Sequence, residues 1–238
     1  MIAGISREKK EAETMADFGV VIPAAGSGTR FGGDKLFCLL NGHPLLRYTV
    51  EAFCGAKTVT SVVIVTRPEL ISRVRELTAD LPKVVSVIAG GKTRQDSVAA
   101  GVAVLPKSVD FVSVHDGARP LITPKEIDRL HAEAEKYGAV CAAAPVNDTI
   151  HIVDADGTVV GTPDRSTLMA ALTPQIFPAK LYRELCASAT ADYTDDVGLF
   201  RAAGKSVKMI LCQCENFKVT RPCDAHLAEQ ILQERACR

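Results

Sequence analysis

The chain has 238 residues, 47% of them hydrophobic and 24% charged, with 28 Lys and Arg balanced by 28 Asp and Glu. That length supports one large domain or two small ones around a substantial core. The zero formal charge argues against a protein that tracks nucleic-acid phosphates, which usually carries a basic excess. No run approaches the roughly 20 apolar residues of a membrane span, so neither nucleic acid nor membrane is an expected partner.

Residues 1–17 (MIAGISREKKEAETMAD) are polar and mixed in charge. They lack the apolar centre of a secretory signal and predict a tail ahead of one domain over 18–238. The eight cysteines are scattered with no C-x-x-C pair, a pattern that suits reduced thiols of a cytoplasmic protein rather than disulfides or a zinc site. Cys212 and Cys214, in ILCQC, are expected at alternate positions of one strand.

In chain order, Val20 to Ala25 predicts a short buried strand ending in a Gly-rich turn. Pro44 to Phe53 has apolar spacings of three and four and predicts a helix, with Pro44 in its first turn. Strands come next at Val62–Val65, Val84–Ile88, Phe111–Val114 and Ala139–Ala144, with helices near Pro68–Thr78, Arg94–Val104 and Pro124–Tyr137 between them. Near-continuous apolar strands separated by helices predict a doubly wound α/β domain, a mostly parallel Rossmann-like sheet covered on both faces. The pattern changes after Pro145, where Asp154-Ala155-Asp156-Gly157 lies between two alternating runs and predicts a β-hairpin arm over about 147–165. Its apolar residues need a surface to cover them, and a second subunit would supply one. Helices near Pro178–Ala189 and Asp195–Ala203, a strand at Val207–Leu211 and a helix over Pro222–Glu234 complete the chain.

Open parallel sheets bind ligands at the carboxyl ends of their strands. The first such end, AAGSGTRFGGDK, carries Gly26, Gly28, Gly32 and Gly33 with Arg30 and Lys35. Exposed backbone N–H groups plus two fixed cations suit a polyphosphate, although a structural turn with two solvated cations is the other reading. The loop is not a Walker motif, because no GKS or GKT comes after it, and the glycine at 32 falls one residue late for the dinucleotide fingerprint. At a second strand end, in VHDGARP, Asp116 is placed to meet the ligand, and one carboxylate facing phosphate oxygens suits Mg²⁺. The alternative is a loop cap. A third end, AGGKTRQDS, could hold a base or ribose through backbone groups and Ser97.

The blocks VIPAAGSGTRFGGDK, GGKTRQDS, VHDGARP, APVNDT, DRSTLMAALTPQIF and ENFKVTRPCD occur in this order between about Gly19 and Leu232. Together they resemble the 2-C-methyl-D-erythritol 4-phosphate cytidylyltransferases of the non-mevalonate isoprenoid pathway. The resemblance implies a Mg²⁺-dependent nucleotidyltransferase that joins CTP to the polyol phosphate, and a homodimer in which the arm reaches across. It implies that Ala24, Ala25, Gly26, Gly91 and Ser97 hold the cytidine and that Arg30, Lys35 and Lys218 serve the reacting phosphates. Asp116 would serve metal and nucleotide and Arg119 the loop around them, while Glu215 would be either a second metal contact or a solvated strand-end charge. Thr149, Arg165 and Thr173 would contact the acceptor. The chain departs from the common pattern at Asp34, Leu36, Gly117, Val197, Gly198 and Glu215, while the charged set is intact.

Other readings share parts of this pattern. A ribitol-5-phosphate cytidylyltransferase would differ only in its acceptor. A nicotinamide oxidoreductase needs an acidic residue about 20 positions after the glycines, and Glu51 falls there only inside a predicted helix. A non-catalytic nucleotide-binding module would be expected to lack Arg30, Lys35 or Asp116, and all three are present.

Overall fold

The computed structural model of the chain describes residues 16–26 and 31–237. Of the predicted tail, only Ala16 and Asp17 fall within these, and their N–H groups donate to the carboxylates of Glu135 and Asp110. Strand β1 (Phe18–Ala24) comes next, with Val20, Val21 and Ile22 fully buried. A short antiparallel pair, β2 (Leu39–Leu40) and β3 (His43–Pro44), leads into α1 (Leu45–Gly55). Pro44, predicted in the first turn of that helix, stands just before it at the N-cap in extended backbone.

Strand β4 (Val59–Thr66), α2 (Ile71–Leu77) and β5 (Val84–Ala89) extend the sheet on one side of β1. Helix α3 (Arg94–Val104) then returns the chain to β6 (Phe111–Val114) on the other side, and α4 (Pro124–Tyr137) leads to β7 (Val140–Pro145). Beyond a hairpin of β8 (Ile152–Val153) and β9 (Val159–Gly161) come β10 (Met169–Pro178), α5 (Ala179–Ser188), α6 (Asp196–Ala202), β11 (Lys208–Leu211) and α7 (Pro222–Ala236). The main sheet runs β11-β7-β10-β6-β1-β4-β5. The expected doubly wound α/β fold is therefore present, and the direction of winding reverses around β1, which places a crevice at the carboxyl ends of β1 and β6.

Successive β1 residues face opposite layers. Val20 and Ile22 pack with Leu45, Leu46 and Phe53 of α1, while Val21 packs with Val98 and Val102 of α3. Covering both faces explains why β1 and β4 are buried at nearly every position. Helix α3 lies so close to the sheet that a Cβ at Gly101 would stand 2.5 Å from Val21 Cγ1 and 2.9 Å from Val65 Cγ2. On the same layer Phe177 stacks on Phe200 at 4.1 Å. Each such ring taken fully out of water contributes about 1.5–3 kcal/mol.

The sequence pattern predicts no strand between 165 and 206, yet β10 occupies the middle of the sheet, antiparallel to both β6 and β7. Two prolines within LTPQIFP obscure it, because proline cannot donate to a ladder and argues against a central strand. The strand accommodates Pro174 where its register on β7 shifts, between Ala171 and Gln175, and Pro178 at its last position. A second correction concerns Cys212 and Cys214: β11 ends at Leu211, so both thiols lie beyond the strand.

In the hairpin, Asp154 Oδ1 accepts from the N–H groups of Asp156 and Thr158 at 3.0 and 2.9 Å, and Gly157 takes φ +84°. That conformation suits glycine, which has no Cβ to clash. Ile152 and Val160 are 55% and 62% exposed, so the hairpin carries apolar surface that the described residues leave open.

Candidate active site

Three loops from the carboxyl ends of β1, β5 and β6 meet over the crevice and enclose a cleft of about 410 Å³. From β1 come Ala24, Ala25 and Gly26; Arg30, predicted to act beside them, lies outside the described residues. Lys35 re-enters at a short 3₁₀ turn and lines the cleft, its Nζ donating to the carbonyl of Val219 at 3.1 Å.

The β5 loop is shaped by glycine and a helix cap. Gly90 N donates to Thr66 O, and Gly91 N to Ser97 Oγ at 3.1 Å. A Cβ on Gly91 would lie 2.3 Å from Asp96 Cβ, so this position requires glycine for close approach. Thr93 caps α3 in a reciprocal box: its hydroxyl accepts from Asp96 N at 3.0 Å while its own N–H donates to Asp96 Oδ2 at 3.1 Å. Ser97 is buried against the cleft, and its hydroxyl also donates to Thr93 O at 2.9 Å. Its oxygen thus holds the loop together as well as facing the ligand space.

The β6 loop delivers Asp116. Its neighbours are anchored to β1 by His115 N to Val21 O and Gly117 N to Pro23 O, at 3.0 and 3.1 Å. His115 Nε2 lies 3.2 Å from Arg119 O, which only accepts, so that nitrogen carries the proton. Its Nδ1 therefore accepts from the Thr173 hydroxyl at 3.1 Å, and the Thr173 oxygen accepts from Asp116 N at 3.1 Å. Burial in this network pushes the His115 imidazole down to about 3, so it is neutral at physiological pH.

Around the Asp116 carboxylate stand Lys218 Nζ at 3.1 Å, Arg119 Nε at 3.3 Å and Arg94 Nε at 3.9 Å. Burial would raise its pKa, but the three cations, Lys218 foremost, outweigh burial and hold it at about 2. Arg119 is itself buried, with Nη1 donating to Asn216 O at 2.8 Å, and Asn216 Nδ2 donates to Thr173 O at 2.7 Å. Arg94 also reaches Asp196 at 2.8 Å, and Asp196 accepts from the buried Tyr182 hydroxyl. Lys35, Lys218, Arg94 and Arg119 against the two carboxylates of Asp116 and Asp196 leave an excess of positive charge that suits an anion.

Of the predicted residues, the fold brings together Ala24, Ala25, Gly26, Lys35, Gly91, Ser97, Asp116 and Lys218 on the cleft wall. Arg119 and Thr173 lie behind Asp116 and orient it. Thr149 and Arg165 are exposed on the hairpin side, Arg165 donating to Asn147 O at 2.7 Å, and neither lines this cleft. Glu215, expected as a second metal contact or a solvated charge, pairs with Arg235 at 2.6 Å and is not one of the residues that line the cleft. The fold also brings Arg94 to the cleft, with Asp196 and Tyr182 behind it, and the sequence pattern assigns none of the three to the site. Arg94 stands at a helix start after a Gly-Gly turn, but nothing local signals its partner Asp196 or the Tyr182 behind it, which the packing of α6 and α5 supplies.

Asp116 is a hard carboxylate on the cleft wall among three cations. Among the described residues no group of three or more His, Cys, Asp or Glu could hold a metal by itself. One carboxylate with the remaining positions left to phosphate oxygens and water is a donor set that fits Mg²⁺.

Comparisons with known proteins agree with this geometry. The profile of the 2-C-methyl-D-erythritol 4-phosphate cytidylyltransferases matches residues 18–234. A protein of that name from Thermosynechococcus vestitus is 41% identical over 223 residues, covering 91% of this chain and 95% of the relative. Another from Synechococcus elongatus is 42% identical over 226 residues, covering 91% and 96%. Among solved structures, 4-diphosphocytidyl-2C-methyl-D-erythritol synthase from Anaerococcus prevotii superposes with a TM-score of 0.82 at 26% identity, covering 92% of this chain and all of the other. The 2-C-methyl-D-erythritol 4-phosphate cytidylyltransferase of Thermus thermophilus gives 0.72 at 31% identity, covering 91% and 99%. With a doubly wound sheet, a cation-ringed Asp116 at its switch point and relatives matched over nearly their whole length, this chain belongs to the 2-C-methyl-D-erythritol 4-phosphate cytidylyltransferase family.

Proposed function

We propose that this chain transfers the cytidylyl group of CTP to 2-C-methyl-D-erythritol 4-phosphate. An acceptor phosphate oxygen attacks the α-phosphorus of CTP in line. The new P–O bond forms as the bond to the β-phosphate oxygen breaks, and pyrophosphate leaves with that electron pair. The observation that carries this reading is the buried Asp116 carboxylate ringed by Lys218, Arg119 and Arg94 in an anion-receiving cleft.

The acceptor is a phosphate monoester with a second pKa near 6, so it is already largely dianionic at neutral pH and needs no strong base. His115 is unsuited to that role in any case, being fully buried with both ring nitrogens engaged. The barrier lies in bringing two anions together, and fixed cations lower it by stabilising charge on the transferred group. Lys35, Lys218 and Arg94 line the cleft to do so, and Arg30 is assigned the same task from its place in the Gly-rich loop. Ala24, Ala25, Gly26, Gly91 and Ser97 would hold the cytidine, largely through backbone groups. Mg²⁺ would be held by Asp116 and the triphosphate, where it supplies positive charge to the phosphate oxygens. Arg119 and Thr173 keep Asp116 in place.

Thr149 and Arg165 would meet the acceptor. Both flank apolar hairpin residues, Ile152, Val153, Val159 and Val160, that are more than half exposed, which supports a homodimer formed through this arm. A cytoplasmic location is consistent with eight free cysteines.

The test is pyrophosphate release from CTP and Mg²⁺, with 2-C-methyl-D-erythritol 4-phosphate and ribitol 5-phosphate offered in parallel. Release with the methylerythritol phosphate alone is expected. Release with ribitol phosphate alone would overturn the acceptor assignment, and CTP binding without release in either arm would overturn the enzyme reading.

A further inference from the structure

The segment that joins β11 to the active-site Lys218 carries a feature the transfer reaction does not use. Cys212 Sγ and Cys214 Sγ lie 3.8 Å apart, both partly exposed. The backbone bends at Gln213 and Cys214, which keeps the two residues close. A disulfide requires the sulfurs to approach to about 2.05 Å, and with one residue between them the ring it closes lies wholly within this segment.

The segment is tied to the site on both sides. Cys212 N donates to Ala143 O of β7 at 2.8 Å, and Gln213 N to Glu126 Oε1 at 2.8 Å. These bonds anchor the first half and Val219 N to Ala118 O at 2.9 Å anchors the chain beyond Lys218, so the displacement on closure falls on the residues between. Asn216 comes next, with its carbonyl receiving Arg119 at 2.8 Å and its amide donating to Thr173 O at 2.7 Å and approaching Cys212 Sγ at 3.8 Å. Lys218, two residues on, holds Asp116 at 3.1 Å. Both residues that orient Asp116 therefore share Asn216 as a contact.

We propose that Cys212 and Cys214 are a redox modification site whose reversible disulfide slows turnover by shifting the Asn216–Lys218 segment. The oxidant is a small disulfide such as glutathione disulfide. One protein thiolate attacks it, releasing a first glutathione thiolate and forming a mixed disulfide. The second protein thiolate then attacks the protein sulfur of that bond and releases the second glutathione. Two thiol protons and two electrons leave the protein, and one glutathione disulfide becomes two glutathiones. A misplacement near 1 Å at a catalytic constellation can cost about 10²-fold in rate.

The effect on turnover rests on the proposed function, whereas the disulfide itself does not. The test treats the full chain with glutathione disulfide, blocks remaining thiols by alkylation, and digests it with trypsin without reduction. Residues 209–218 emerge as one peptide that holds both cysteines. The expected result is this peptide two hydrogens lighter and unalkylated, with pyrophosphate release lowered at least about tenfold and restored by dithiothreitol. The Cys212→Ser and Cys214→Ser variants should turn over like the parent when reduced and keep that rate under the same oxidant. A doubly alkylated peptide, or one that retains glutathione without closing, would overturn the site. An internal disulfide with an unchanged rate would overturn the coupling. If the reduced protein releases no pyrophosphate, the proposed function fails while the peptide mass still decides the disulfide.

Discussion

Replacing Asp116 by Asn keeps the shape of the side chain and removes the charge that three cations share. In the parent, burial opposes ionisation of this carboxyl, yet Lys218, Arg119 and Arg94 overcome it and hold the group at about 2 against an ordinary 3.8. At 1.36 kcal/mol per pKa unit this is a contribution of about 2 kcal/mol to stability at neutral pH. The lowered pKa means the native state keeps the carboxylate where the unfolded chain would protonate it. The contribution is complete above about pH 4 and fades as pH falls toward 2. For a domain of this size 1 kcal/mol corresponds to about 2–4 °C, so the Asp116→Asn variant should melt about 4–8 °C below the parent, by an equal amount at pH 5 and pH 8. Turnover should fall by about 10²–10³, the usual cost of removing one preorganised charge. Thermal unfolding followed by circular dichroism, with pyrophosphate release on the same preparations, reads both. A variant that melts with the parent at neutral pH would refute the reasoning, since the three cations would then not need this counter-charge.

The Lys218→Ala variant should fold and still lose about 10² in turnover, because Lys218 is partly exposed and faces the cleft while Arg94 and Arg119 still compensate Asp116; undiminished pyrophosphate release would remove Lys218 from the reaction. Gly101→Ala should cost about 1–3 kcal/mol, read as a lower urea midpoint, because its Cβ would meet the stiff side chains of Val21 and Val65. An unchanged midpoint would show that α3 can move off the sheet freely. His115 and His131 are both held down to about 3 by burial. Below about pH 6.5 the unfolded chain takes up a proton at each histidine that the native state refuses. Stability should therefore fall by about 1.4 kcal/mol per pH unit for each histidine, and urea midpoints that stay level from pH 7 to pH 5 would contradict this.

Periodicity along the chain is enough to order most of the strands and helices, because each apolar run and each cap reports its own local environment. The Gly-rich ends of β1 and β5 and the Asp116 loop are equally legible as strand ends, and at Gly91 the glycine marks a close approach to Asp96 that any Cβ would block. The place of β10 is not. Its prolines obscure a strand locally, and only pairing with β6 and β7 shows that the middle of the sheet accepts it with a shift in register. The same limit separates Asp116 from Glu215. Both are acidic residues in blocks typical of the family, yet Asp116 meets three cations from three different segments, while Glu215 is turned to Arg235 of the last helix.

Arg94 shows where local patterns stop. Alone it is a polar residue at a helix start. In the fold it bridges Asp116 and Asp196, and Tyr182 closes the set from α5. Near-neighbour patterns in the chain suffice to say which segments form most of the strands and helices and which strand ends carry the loops that line the cleft. Which charges meet is settled only by packing. Coulomb interaction depends on separation in space and on burial, and both are products of long-range contacts that no local pattern contains.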